Sequence, residues 1–164
     1  MKAKDITLGG IMTALSVLVL YLTSILPFNT IALLTIASSF IPVIIIRSNI
    51  KTASFVYIAS TILGLFITTP NIVIMYALFF GIYGLIKYII EKLNKISLEI
   101  ILKLLFFNIS LIVSILIIKL FLGDVIINLP IWLLFIVGQV VFLIYDYALT
   151  MIITIYINKF HSKI

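Results

Sequence analysis

Residues 31–51 read IALLTIASSFIPVIIIRSNIK, a long apolar run followed by a short basic turn. The apolar run ends at Ile46, and Arg47 and Lys51 frame the polar residues after it. A run of this kind is typical of a membrane-spanning helix, which needs about 20 mostly apolar residues. Only helices and closed barrels satisfy their backbone groups in hydrocarbon, and the run lacks the two-residue alternation of a barrel strand. We therefore predict a transmembrane helix here.

Apolar runs of this kind occur six times in the 164 residues, with short polar connections between them. The predicted helices cover residues 6–26, 31–46, 53–68, 72–90, 100–122 and 131–157. The chain is 65% hydrophobic and 10% charged, whereas a soluble domain is about 45–50% apolar and about 25% charged. The sequence therefore predicts an all-α, polytopic membrane protein. Its partner is the lipid bilayer, and residues 1–164 form a single six-helix transmembrane domain with short loops.

The cations alternate between successive loops. Those of the N-terminus, the second loop, the fourth loop and the tail are Lys2, Lys4, Arg47, Lys51, Lys92, Lys95, Lys159 and Lys163. The first, third and fifth loops contain no Lys or Arg, so the positive-inside rule predicts that both termini are cytoplasmic. Lys87 and Lys103 lie about one turn inside helix ends on that side, and we expect them to snorkel outward. The net charge of +6 is therefore an orientation signal, and no nucleic-acid partner is predicted.

The N-terminal residues raise the question of a signal peptide. Residues 1–5 carry two lysines, and the apolar run after them is longer than the 7–15-residue core of a signal peptide, with no small-x-small cleavage site behind it. We expect the first helix to be retained. The abundance of isoleucine and lysine indicates an AT-rich bacterial genome, and we predict a multi-pass location in the plasma (inner) membrane.

Several kinds of chemistry are excluded by the residue types present. The chain has no cysteine and a single histidine, His161, so a disulfide framework and a Cys/His metal site are excluded. No nucleophile elbow and no phosphate-binding glycine loop occurs in the sequence. We predict neither an enzyme nor a bound cofactor or metal. Active transport would need energy from another subunit or from an ion gradient.

Asp146 is an acid within the sixth apolar run, about 16 Å from the cytoplasmic end of an upright helix. Gln139 and Thr150 share its helix face, which we expect to point into the bundle because polar groups in hydrocarbon are costly. Two interpretations remain open: a ligand, ion or proton site, or an interhelical hydrogen bond. Asn108 matches the depth of Asp146 better than Lys119 does. We predict an Asn108–Asp146 contact, with Lys119 pointing outward.

A second polar set lies at the predicted outer mouth. It comprises Asn29, Thr30, Thr68, Thr69, Asn71, Tyr76, Lys119, Asp124, Asn128 and Trp132. Loops are ordinarily polar, and Trp and Tyr favour the membrane interface in any case. Lys119 is the one cation predicted on that side, where it would meet an anionic or carboxylate-bearing solute first. The predicted substrate-binding residues are Asn71, Tyr76, Lys119, Trp132, Gln139 and Asp146.

Small residues recur at four-residue spacing. Gly10 and Ala14 form such a pair near the start of the first helix, and Ser60 and Gly64 form another in the third. Small-xxx-small pairs let helices approach closely, either within the protein's own bundle or against a partner subunit. The spacing leaves both roles open for Gly10 and Ala14, and docking of a partner by them is what the resemblance described next implies. Pro42 is expected to kink the second helix.

These features resemble the substrate-binding (S) components of energy-coupling factor transporters. The likeness lies in the six short-looped helices, in Gly10 and Ala14 where that family has an alanine-rich motif, in the proline and basic turn of Ile41–Arg47, in the small residues of Ala53–Gly64, and in the basic tail. Two departures are a short first outer loop and a glycine at position 10. The resemblance implies capture of a small, vitamin-like solute from outside by helices four to six. It also implies docking to a transmembrane coupling subunit driven by two ATPase subunits.

Two other classes of protein fit the sequence. One is a non-catalytic scaffold, similar to the small multi-helix subunits of the bacterial cell-wall elongation machinery. The other is a stand-alone ion-coupled carrier, for which Asp146→Asn would abolish uptake into liposomes. Co-purified coupling and ATPase subunits or a bound small molecule would favour the transporter, and co-purified cell-wall enzymes would favour the scaffold.

Overall fold

The computed structural model describes residues 2–26, 29–122 and 130–160. They form six helices and, within these ranges, no strand. The helices are α1 (Ala3–Ile25), α2 (Thr30–Arg47), α3 (Ile50–Ile67), α4 (Pro70–Glu91), α5 (Ile96–Leu122) and α6 (Ile131–Phe160). Each contains a segment long and apolar enough to cross a membrane. The predicted all-α fold with six membrane-spanning helices is confirmed.

The helices are somewhat longer than the apolar runs that predicted them. α5 begins at Ile96 instead of residue 100, and α6 continues to Phe160 instead of residue 157. Charged residues next to an apolar run remain helical because a helix satisfies its own backbone groups whether its side chains face lipid or water. α2 also continues through Pro42 as one helix, from Thr30 to Arg47.

Two contacts place the start of α1, the α2–α3 turn and the end of α6 at one end of the bundle. The Ser48 hydroxyl donates to the Asp5 carboxylate at 2.7 Å, and the Arg47 guanidinium lies 5.5 Å from the centre of the Tyr156 ring. We call this the basic end, because it carries Lys2, Lys4, Arg47, Lys51, Lys92, Lys95 and Lys159.

The helices differ in how much of their surface the protein itself covers. α2 is central: 56% of its apolar segment is buried, and it packs against α1, α3, α4 and α6. Only 17% of the corresponding segments of α5 and of α6 is buried. The large exposed apolar side chains of the bundle, such as Phe66, which is 84% exposed, are the surface expected of a protein whose solvent is lipid.

A π-helical turn interrupts α4 at Tyr76–Phe80. Such wide turns disturb the regular backbone ladder of an α-helix, and here two tyrosines supply hydrogen bonds to it. The Tyr57 hydroxyl donates to the Ala77 carbonyl at 2.7 Å, and the Tyr145 hydroxyl donates to the Phe80 carbonyl at 3.4 Å. The turn is therefore held from α3 on one side and from α6 on the other.

Aromatic side chains fill the space between α4, α5 and α6. The Phe79 ring lies 5.0–6.3 Å from six other rings, and aromatic pairs contribute about 0.5–1.5 kcal/mol each beyond their burial. We call this group the aromatic core: Phe79, Phe80, Tyr83, Phe106, Phe107, Phe142 and Tyr145. It attaches the two least buried helices to the rest of the bundle.

The residue after the π-helical turn has to be glycine. A Cβ at Gly81 would lie 2.9 Å from the rings of both Tyr57 and Tyr76, which is closer than packed atoms come. Gly10, in contrast, has nothing within 4 Å of the position of its missing Cβ. The two glycines therefore form a matched pair for substitution.

We expect Gly81→Ala to lower the free energy of unfolding by about 1–3 kcal/mol, the usual effect of overpacking a core. Gly10→Ala should be neutral or stabilising by up to about 1 kcal/mol, because alanine is the better helix former. Unfolding of both variants in mixed micelles of mild detergent and dodecyl sulfate measures the difference. Equal stability of Gly81→Ala and the unsubstituted protein would contradict the packing described here.

Candidate functional site

One face of α4 carries polar side chains at four-residue spacing. Tyr83, Lys87 and Glu91 follow one another at i, i+4 and i+8, so they lie in one row along the helix. Tyr83 is fully buried and Lys87 is 1% exposed, whereas Glu91, at the end of the helix, has 39% of its side chain exposed. The row therefore leads from the basic end into the bundle.

Four charged side chains meet where this row faces α5 and α6. Lys87 Nζ lies 2.8 Å from Glu91 Oε1 and also contacts Asp146 Oδ1. Lys103 Nζ of α5 lies 2.7 Å from the same Glu91 oxygen and 3.3 Å from Asp146 Oδ2. Each lysine thus contacts both carboxylates. We call Lys87, Glu91, Lys103 and Asp146 the charge network.

Hydroxyl groups complete the surroundings of the charge network. The Tyr83 hydroxyl donates to Asp146 Oδ1 at 2.6 Å, and Lys87 donates to the Thr150 hydroxyl oxygen at 2.8 Å. With Glu91, Asp146 and Thr150 as acceptors, Lys87 uses all three of its N–H donors. A buried charge is tolerated only when it is paired and hydrogen-bonded, and both conditions are met at Lys87 and Asp146.

The charge network can act as an electrostatic tie between α4, α5 and α6. Its two positive and two negative groups sum to zero, and every charge has two opposite neighbours. Within the described part of the chain, no cluster of three or more His, Cys, Asp or Glu side chains is placed to hold a metal ion. Because the four charges neutralise one another, the arrangement favours holding the three helices together.

Two predictions about the charged and polar side chains are wrong. Asp146 does not pair with Asn108, whose Oδ1 instead accepts from Gln139 Nε2 at 2.8 Å. Lys87 and Lys103 do not snorkel outward: their side chains are 1% and 11% exposed and reach Asp146. Matching depths along two helices relates backbone positions and not the ends of side chains. A lysine with a long flexible side chain can meet a carboxylate at another level, and their attraction is strong where water is absent.

The predicted solute-binding residues whose side chains the structure describes differ in their surroundings. Asn71 is exposed near the start of α4, and Trp132 is 64% exposed on α6. Tyr76 is fully buried, with its hydroxyl 3.1 Å from Ser60 Oγ, and so lies inside the bundle instead of at its mouth. Gln139 pairs with Asn108, and Asp146 belongs to the charge network. The side chain of Lys119 and the residues Asp124 and Asn128 lie outside the described part of the chain.

The sequence pattern did not identify Tyr83, Lys87 and Lys103 as partners of Asp146. Nor did it identify Glu91 as the second acid of the charge network. A signal for three of them was present, because polar residues at four-residue intervals along an apolar helix predict one polar face directed at the interior. Lys103 had no comparable signal. Its pairing depends on how α5 is rotated against α4, which a single run of apolar residues does not specify.

The predicted docking residues lie on the surface. Gly10 and Ala14 are both exposed on α1. Gly10 also lines a groove of about 240 Å³ between α1 and α3, whose opposite wall includes Phe55 and Ala59. The neighbouring Gly9 is buried, 3.4 Å (from its built Cβ position) from the Thr52 side chain. Of the two adjacent glycines, one therefore serves internal packing and the other faces outward.

We expect Lys87→Met to lower the free energy of unfolding by about 3–5 kcal/mol, because it leaves a buried carboxylate without its main counter-charge. Combining it with Asp146→Leu removes one positive and one negative group and leaves the Lys103–Glu91 pair. The double variant should therefore be more stable than Lys87→Met alone. Unfolding in mixed micelles measures both. A double variant that is less stable than Lys87→Met alone would contradict a coupled network.

Comparison with known proteins gives no family assignment. No protein-family model, no curated protein and no solved structure matches the chain. What the findings establish is a six-helix protein of the kind that spans a membrane.

Proposed function

We propose that the chain is the membrane substrate-capture subunit of an energy-coupling-factor-type transporter. In this role it binds a small, vitamin-like solute from outside and depends on partner subunits for ATP-driven uptake. The observation that carries the proposal is the uncovered pair Gly10 and Ala14 on α1. It supports the first requirement of such a subunit, which is a surface where another membrane protein can approach closely.

The two faces of α1 differ in their role. One face packs against α2 and α3 and buries Gly9, Ser16, Leu20 and Thr23. The other face, which includes Gly10 and Ala14, is exposed. Lipid tails are as apolar as leucine, so a helix gains nothing by exposing small residues to them, and small residues become useful when a second helix packs closely on them.

A groove beside Gly10 makes this face of α1 concave. Its volume of about 240 Å³, between α1 and α3, offers space for side chains of an approaching helix. A Cβ at Gly10 would meet no atom within 4 Å. The described part of the protein therefore does not block the close approach of a partner helix at this position. These features support docking of a transmembrane coupling subunit, with ATPase subunits bound to it in turn.

The orientation of the chain is part of the proposal. We infer that the basic end faces the cytoplasm, with both termini inside a bacterial plasma membrane, because cytoplasmic loops carry the excess of Lys and Arg. The solute would then enter at the opposite end, near Asn71, Lys119 and Trp132. Gln139 and Asp146 would lie below this entrance, within the bundle.

Labelling of single cysteines tests the orientation, since the natural chain has none. We expect a membrane-impermeant maleimide to label Asn71→Cys in intact cells. Lys51→Cys and Lys95→Cys, both at exposed positions of the basic end, should be labelled only after permeabilisation. The reverse pattern would invert the proposed topology.

Purification of the tagged full-length chain from its native membranes in mild detergent tests the docking face. We expect a transmembrane coupling subunit and ATPase subunits to co-purify. Gly10→Leu, which fills the uncovered face, should reduce their recovery at least about tenfold, in line with a loss of 1.4 kcal/mol or more in association.

Val140→Phe serves as the matched control, because it adds bulk to a side chain that is 54% exposed on α6, away from α1. It should leave the recovery of partners unchanged. Equal loss with both substitutions, or undiminished recovery with Gly10→Leu, would remove the α1 face from the proposal.

A non-catalytic scaffold is the second candidate. It is favoured by the charge network, whose groups satisfy one another and so suit a permanent tie between helices. The same purification separates the two candidates. The scaffold would be favoured over the transporter by two results together. Cell-wall enzymes would co-purify without any ATPase subunit, and native mass spectrometry would find no small molecule bound to the protein.

A further inference from the structure

A cleft of about 190 Å³ lies between α2, α4 and α6, next to the charge network. Its walls are mainly apolar, and two members of the charge network, Lys87 and Glu91, form its polar edge. The lining includes Pro42, Ile46, Gly84, Glu91, Ile153 and Ile157. Ile157 is 39% exposed and Tyr88, another lining residue, is 43% exposed, so the cleft is open to the surroundings of the bundle.

Each wall of the cleft ends in a cation. On α2, Arg47 directly follows the lining residue Ile46, and on α4, Lys92 directly follows Glu91. On α6, Lys159 lies two residues after Ile157. All three cations are exposed at the basic end. The Arg47 guanidinium reaches over the Tyr156 ring of α6, which brings the α2 and α6 walls together at this rim.

We propose that this cleft binds one anionic phospholipid, with part of an acyl chain between α2, α4 and α6 and the phosphate at Arg47, Lys92 and Lys159. The proposal is independent of the transport function proposed above. Basic pockets between transmembrane helices are suited to acidic lipid headgroups, and here three helices contribute one cation each.

The dimensions favour a lipid chain over a soluble ligand. Pockets for drug-sized molecules usually enclose about 300–1,000 Å³, more than the 190 Å³ found here. The nearest polar donors inside the cleft are also occupied, because Lys87 already donates to Glu91, Asp146 and Thr150. A narrow, mainly apolar cleft whose buried ammonium group is already occupied suits a hydrocarbon chain.

Selectivity for an anionic over a neutral phospholipid has to come from the cations at the rim of the cleft. An acyl chain gains little by moving from lipid into an apolar cleft, since both surroundings are hydrocarbon. Cations near an anionic headgroup, in contrast, each favour it about fivefold over a neutral one. Glu91, the acid in the wall, is already contacted by Lys87 and Lys103, which offsets its repulsion of a phosphate.

The test is native mass spectrometry of the full-length chain, reconstituted with equal amounts of phosphatidylglycerol and phosphatidylcholine and then released into mild detergent. We expect one retained phosphatidylglycerol on the unsubstituted protein. The triple variant Arg47→Gln/Lys92→Gln/Lys159→Gln should lose its preference for phosphatidylglycerol by about tenfold or more.

A second triple variant, Lys2→Gln/Lys4→Gln/Lys51→Gln, removes the same charge from exposed positions of the same end and should keep the preference. Ile46→Trp, which fills the cleft and leaves the rim cations in place, should abolish retention. Ile62→Trp, at a position of α3 that is 51% exposed, should not.

Three outcomes would overturn the proposal. They are equal losses in the two triple variants, undiminished retention in Ile46→Trp, and displacement of the lipid by millimolar inorganic phosphate. Equal losses would show that the preference for phosphatidylglycerol comes from the overall charge of the basic end. Displacement by phosphate would show that the rim cations bind a soluble anion.

Discussion

A charge in hydrocarbon requires an opposite charge beside it, and the arrangement of α4, α5 and α6 follows from this constraint. Asp146 lies within an otherwise uncharged stretch of α6, and both of its carboxylate oxygens are engaged by lysines from two other helices. Glu91 binds the same two lysines at the helix end. Rotating any one of the three helices would separate a buried charge from its partners. The charge network therefore fixes the rotation of helices that bury little other surface.

The aromatic core supplies the apolar packing between α4, α5 and α6 that the charge network lacks. Phe79 lies within the π-helical turn of α4 and contacts rings of α5 and α6. Tyr83 belongs to both groups, because its ring packs in the aromatic core and its hydroxyl donates to Asp146. Electrostatic and apolar contacts thus meet on one side chain. Of the two peripheral helices, α5 packs mainly against α4, whereas the backbone of α6 packs mainly against α2.

The six helices could be predicted because apolar length and the placement of cations are local properties of the chain. The charge network could be predicted only in part. The four-residue spacing of Tyr83, Lys87 and Glu91 indicates one polar helix face, whereas the pairing with Lys103 depends on helix rotation. Asn108 matched Asp146 in depth, yet it pairs with Gln139, and the lysines that reach Asp146 had been assigned to the surface. The π-helical turn had no sequence signal, and it is held by tyrosines from other helices. Tyr76 was placed at the outer mouth by its sequence position, whereas the bundle buries it completely.

The balance of charges also has an electrical consequence. A membrane potential acts on net charge, at about 2.3 kcal/mol per elementary charge per 100 mV. The two lysines and two carboxylates of the charge network sum to zero, so the field exerts no net force on them as a group and can only turn their dipole. The bundle can thus keep four ionised groups in or near the membrane without becoming a voltage sensor. Removing any one of them would leave a net charge on which the field can act.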